Sequence, residues 1–106
     1  MTFESLFTAI KEIFIKADVR DFHSHMAFEF QVQGEATGVF YVVIKEGRIS
    51  VEPYEYHDRD ALFVADGETY LEICRGELNP MLAFAVGRLK VEGDLSKAQL
   101  IGTLFV

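Results

Sequence analysis

A chain of 106 residues, half of them hydrophobic and a quarter charged, reads as one domain spanning 1–106 with a sizeable core. Its net charge of −7 argues against a nucleic-acid partner and against electrostatic docking on anionic membranes. No apolar run approaches the roughly 18 residues of a membrane span, no leader opens the chain, and the lone Cys74 cannot form an internal disulfide, so a cytoplasmic protein without stable membrane insertion is expected.

Phe3, Leu6, Phe7, Ile10, Ile13, Phe14 and Ala17 share one helical stripe and predict an amphipathic helix over 3–17. Its polar face carries two Lys and two Glu, too few cations for a membrane-surface helix. Asp18 to Ser24 is a polar connector. From His25 the period changes to two: Met26, Phe28, Phe30 and Val32 face one way, Ala27, Glu29, Gln31 and Gln33 the other. Gly34 to Gly38 reads as a turn and Val39 to Lys45 as a second strand. Glu46-Gly47 is a two-residue hairpin signal, and Arg48 to Glu52 alternates as a third strand. These three predict an antiparallel meander with one face on the core. The second strand is apolar on its other face too (Val39, Tyr41, Val43), which predicts a cover, either a loop or a partner subunit.

Pro53 to Asp60 is polar and irregular. Ala61 to Ala65 predicts a buried strand, and Glu68 to Arg75 a helix burying Tyr70, Leu71 and Cys74. Asn79 can cap a short helix over 80–86, with Pro80 at its first position and Gly87 at its end. That helix is apolar on every side, so it is expected either inside the core or as one wall of an apolar space. Arg88 to Glu92 alternates as a strand, Gly93-Asp94 turns the chain, and Asp94 can cap a last helix over 96–105. This helix is expected to bury Ala98, Ile101, Leu104 and Phe105, with Gly102 costing about 1 kcal/mol relative to Ala.

Asp66, Tyr70-Leu71, Arg75-Gly76-Glu77-Leu78-Asn79-Pro80 and Ala83-Phe84, continued by Gly87 to Asp94, Ala98 and Leu100, resemble the signature of the sterol carrier protein type two family. The resemblance implies an α/β (α+β) sandwich: a five-stranded, mostly antiparallel sheet with helices packed on one face. It also implies a tunnel between them for sterols, fatty acids, acyl-CoA or phospholipids. No peroxisomal address closes this chain, and the acidic turn at Ala65 to Glu68 has fewer polar side chains than the family's.

Other chemistry finds little to stand on. His23 and His25 would point the same way on a strand, but only Asp21 offers a third metal ligand nearby and His57 is remote. Cys74 has only Arg75 beside it to lower its pKa. Glu52, Glu55, Asp58 and Asp60 lack the spacing of a calcium loop. There is no serine elbow, phosphate loop or dinucleotide fingerprint. The expectation is therefore a non-enzyme without metal or cofactor, binding a hydrophobic small molecule. The expected cavity walls are Phe28, Phe30, Val42 and Ile44 from the sheet, and Leu71, Leu78, Met81, Phe84, Leu104 and Phe105 from the helices. The rival expectation is a filled-core scaffold or accessory protein, homodimeric through strand 39–45, of the kind that serves quinone biosynthesis.

Overall fold

The computed structural model describes residues 1–105, Phe105 through its backbone alone. The elements run α1 (Phe3–Ile15), β1 (Met26–Gln33), β2 (Gly38–Lys45), β3 (Arg48–Glu52), β4 (Ala61–Asp66), α2 (Gly67–Cys74), α3 (Pro80–Ala85), β5 (Lys90–Gly93) and α4 (Leu95–Gly102). A 3-10 turn covers Gly34–Ala36 and another Thr103–Phe105.

The strands form one sheet in the order β3-β2-β1-β4-β5. Every pairing is antiparallel except β1 with β4. Glu46 (φ 54°) and Gly47 (φ 72°) make the tight turn that the dipeptide predicts between β2 and β3. Each of the four α-helices among the described residues starts on a side-chain cap: Thr2, Asp66, Asn79 and Asp94 accept from amides of the first turn.

Register sets the core. Phe30 lies opposite Phe40 of β2 and Phe63 of β4, and Phe63 in turn lies opposite Val91 of β5. Because side chains alternate along a strand, all of these point to one face. The helices cover that face. Leu6, Ile10 and Phe14 of α1 are buried there, and Phe14 meets Phe30 edge-on with ring centroids 5.9 Å apart. Tyr70 of α2 meets the same ring at 5.7 Å and donates its hydroxyl to the Gln31 carbonyl at 2.9 Å.

On the opposite face the segment 53–60 packs over Tyr41 of β2 and over Ala27 and Glu29 of β1; a loop is one of the two covers expected for the apolar side of the second strand. Tyr56 packs on Tyr41 at 4.9 Å. Glu29, expected on a solvent face, is only 3% exposed. Its carboxylate accepts from the Tyr56 amide at 2.7 Å and lies 3.7 Å from the Arg59 guanidinium, so burial is matched by partners.

Three boundaries differ from those expected by two residues or more. The first helix ends at Ile15 rather than 17. The fifth strand starts at Lys90 rather than 88, because the amides of Arg88 and Leu89 both return to the Ala83 carbonyl and close the end of α3. The last helix stops at Gly102 and tightens into the 3-10 turn.

Asp60 joins the two sides. Its carboxylate accepts from the Ala27 amide at 2.8 Å and from Lys97 Nζ at 3.0 Å, while its carbonyl accepts from the Asp94 amide at 2.8 Å. Burial acts to raise the Asp60 pKa, but the Ala27 and Lys97 bonds outweigh it and hold the carboxyl below its usual range. A group with a depressed folded-state pKa stabilises above its unfolded pKa and ceases to as pH falls through the folded value. Asp60→Asn is therefore expected to lower Tm at pH 7, with the gap to wild type closing below the carboxylate range; a Tm series from pH 7 to pH 2 checks this.

The same crossing constrains Gly93, whose φ is +102° and where a Cβ would stand 2.4 Å from the Asp60 carbonyl oxygen. Gly93→Ala should cost about 2–4 kcal/mol in urea unfolding. Gly102→Ala, whose Cβ would meet Pro80 Cγ at 3.6 Å and Cβ at 3.9 Å, both ordinary contacts, should be neutral or stabilising by up to about 1 kcal/mol.

Candidate functional site: an apolar cleft at the sheet edge

The packing thins toward β5. Over β1 to β3 the large residues of α1 fill the inner face, but beyond Phe63 the sheet offers only Val91 and Gly93. The helix facing them supplies small residues, Ala98 and Gly102. A cleft of about 430 Å³ remains between α3, β5 and α4. Phe63 is its floor, Pro80, Met81 and Phe84 form one wall, and Leu89 and Val91 continue it. The opposite wall is Leu95, Ala98, Gln99, Gly102 and Thr103, one face of a helix by their spacing of three and four. Asn79 completes the lining.

Behind it lies a smaller space of about 50 Å³, reached past residues common to both: Phe63, Pro80, Leu89, Ala98 and Gly102. Phe14, Phe30, Tyr70, Ile73, Cys74 and Ile101 complete that inner lining.

The expected wall residues distribute as follows. Met81 and Phe84 line the cleft and Phe30 lines the inner space. Phe28, Val42 and Ile44 are wholly buried on the inner sheet face, and Leu71 is buried in the same core. Leu78 and Leu104 pack against that core, half-buried. The side chain of Phe105 lies outside the described residues. Sequence reasoning missed Phe63, Leu89, Val91, Leu95 and the small residues Ala98 and Gly102 as lining. Helical spacing from Leu95 through 98, 99, 102 and 103 was the signal that could have found the α4 wall.

The helix that is apolar on every side is not enclosed. Only Ala83 is buried; Met81 and Phe84 remain 58% and 47% exposed, and Leu82, Val86, Leu95 and Leu100 are also exposed. Met81, Phe84 and Leu95 thus expose apolar surface on the cleft itself, the kind of surface that marks a binding site.

Charged groups nearby are committed elsewhere. The Arg88 guanidinium donates to Thr69 Oγ1 at 3.0 Å and to the Glu72 carboxylate, and Lys97 is held by Asp60. The polar side chains on the cleft itself are Asn79, Gln99 and Thr103. Asn79 Oδ1 accepts from the Met81 and Leu82 amides at 2.8 and 3.3 Å, and Thr103 Oγ1 donates to the Leu100 carbonyl at 2.6 Å.

Desolvation pushes the Cys74 thiol up to about 12, the charge of Arg75 only partly countering it. His23 and His25 are exposed just before and at the approach to β1. Among the described residues no group of three or more His, Cys, Asp or Glu side chains is placed to hold a metal ion, and no helix is long and apolar enough to cross a membrane.

The model of the SCP-2 sterol transfer family matches residues 4–106. Sterol carrier protein 2 of Arabidopsis thaliana is 36% identical over 62 residues, which are 58% of this chain and 50% of that protein. The aligned part is therefore half the length of that relative. In fold, the chain is similar to the UbiJ-SCP2 ubiquinone synthesis protein, with a TM-score of 0.73 at 16% identity over 97% of this chain and 91% of that one. It is also similar to palmitated SCP2L2 from Aedes aegypti, with a TM-score of 0.63 at 14% identity over 96% and 88% of the two chains.

Thiol chemistry offers a direct check on the inner space. At pH 8, iodoacetamide is expected to alkylate Cys74 at least about 100-fold more slowly in the native protein than in urea, since so little thiolate is present; intact-mass kinetics measure the ratio.

Proposed function

The chain belongs to the SCP-2 sterol transfer family, and from that premise we propose that its cleft holds the apolar body of a lipid and that the protein carries it without making or breaking a bond. The observation that supports this most is the cleft of about 430 Å³ with its apolar floor and walls. That volume falls within the roughly 300–1,000 Å³ common for small-molecule sites. Met81, Phe84 and Leu95 are at once exposed and cleft-lining, so an acyl or isoprenoid chain lying there would cover apolar surface that now faces water.

The energy scale fits. Each buried methylene contributes about 0.8 kcal/mol, so ten contribute about 8 kcal/mol, the scale of micromolar affinity before ordering costs are subtracted. The inner space beyond Phe63 would let a chain end reach toward Tyr70 and Ile73. Met81 suits an adaptable wall, because its unbranched thioether repacks at little cost. The described cleft lining carries no carboxylate, imidazole or thiol to act as acid, base or nucleophile, which favours carriage over chemistry. The palmitate of the Aedes aegypti structure is a property of that protein; it makes an acyl-type chain a reasonable first ligand to test here.

The rival role, a scaffold dimerising through strand 39–45, has less support, because Tyr56 already occupies Tyr41 on that face.

Native mass spectrometry of the purified protein, followed by organic extraction, tests the proposal. A lipid near one per chain is expected; an empty protein that also fails to take up an uncharged pyrene-labelled lipid would overturn it. Ala98 lies on both spaces. Ala98→Phe should therefore weaken uptake of that probe at least about tenfold while keeping a cooperative thermal transition.

A further inference from the structure

Carriage of a lipid body leaves its polar end unassigned. Resting on that reading, we infer that the cleft selects a lipid whose head is an uncharged hydrogen-bonding group, an alcohol or a ketone, over one ending in a carboxylate or phosphate.

The polar side chains on the lining are Asn79, Gln99 and Thr103, and none of the described lining residues is Lys, Arg or His. Their bonding states matter as much as their identities. Thr103 spends its hydroxyl proton on the Leu100 carbonyl, so it presents lone pairs to the cleft. Asn79 spends its carbonyl oxygen on the Met81 and Leu82 amides, leaving its NH₂ to donate. Gln99 can do either. One acceptor, one donor and one adaptable group suit a hydroxyl or a ketone with water between them. A carboxylate differs from either in its full charge, which the Asn79 amide offsets only weakly and the Thr103 lone pairs oppose.

Among the described residues no nearby cation corrects this. Lys97 on α4 is tied to Asp60, Arg88 is tied to Glu72 and Thr69, and Lys90 alternates with cleft-facing Val91 and so belongs to the other face of β5. The amides that open α3 are already taken by Asn79. The whole chain adds a repulsive background of net charge −7. An anionic head brought here would meet neutral amide donors at most, with no cation to offset the water it sheds.

A tail-matched pair separates head from body. Displacement of an uncharged pyrene-labelled lipid by 1-dodecanol and by dodecanoate is measured at pH 8 and pH 5. Dodecanol is expected to bind at least about tenfold tighter at pH 8. Dodecanoate should gain affinity toward pH 5, as its carboxyl begins to take up a proton, while dodecanol stays level. Gln99→Lys, at an exposed position of the lining, should raise the affinity for dodecanoate relative to dodecanol at pH 8 at least about fivefold. Dodecanoate binding as tightly as dodecanol at pH 8 would overturn the head-group selection and leave lipid carriage standing. If neither compound displaces the probe and the probe itself does not bind, both readings fall.

Discussion

Phe30 sits where the inner face of the sheet meets the helices that cover it. Its ring stacks on Phe40 at 4.7 Å and on Phe63 at 4.9 Å, so a row of three aromatic rings crosses the middle of the sheet. Phe14 and Tyr70 close over the row from the two helices above it. Each ring pair contributes only about 0.5–1.5 kcal/mol beyond burial. The larger consequence is register: a one-residue slip of β1 would send Phe28, Phe30 and Val32 to the outer face and break the whole row at once. The cleft follows from where this row stops. Phe63 is its last ring, and the residues beyond it on β5 and α4 are too small to continue the packing. The site is thus the unfilled end of the same layer that makes the core.

A second constraint ties the outer face to that end. The segment 53–60 crosses β1 and β2, anchored by the buried Glu29, and delivers Asp60 to the start of α4. The Asp60–Lys97 pair is partly exposed, and such pairs contribute at most about 1 kcal/mol. The bonds to the Ala27 and Asp94 amides are therefore the stronger part of the junction, with the bare Gly93 permitting the approach. The α4 wall owes its position to a loop on the far side of the sheet.

Much of this could be read from the chain because it is local. The stripe from Phe3 to Phe14, the alternation of Met26 to Val32, the Glu46-Gly47 turn, and the caps at Asn79 and Asp94 all act within a few residues. What could not be read is non-local. Glu29 alternates like a solvent-facing residue, and only the return of Tyr56 across the sheet buries it. The apolar character of 81–86 was plain, but not its exposure, which depends on how little stands opposite. A cavity is an absence of volume, and Ala98 and Gly102 leave no apolar signal of the kind that drew attention to Leu104 and Phe105. The α4 face from Leu95 to Thr103 mixes apolar, small and polar residues, so its period of three and four was hidden by their chemistry rather than by their spacing.

Stability and the proposed binding consequently occupy different parts of one layer. The large buried residues of α1, β1 and β2 make a closed core. The α3 side is held by less: α3 has six residues, buries only Ala83, and is fixed mainly by its cap at Asn79 and by the amides that return to the Ala83 carbonyl. Elements with few buried contacts open at lower free energy than the core they flank. Met81 and Phe84 can therefore shift to fit a guest without disturbing the ring row, whose nearest member to them is Phe63 on the cleft floor. An apolar guest lying on Phe63 would extend the row by supplying the volume that Ala98 and Gly102 withhold, and by mass action its binding would stabilise the folded chain. On this argument the small residues of α4 matter to function as much as the large ones of β1 matter to the fold, because each sets where packing ends.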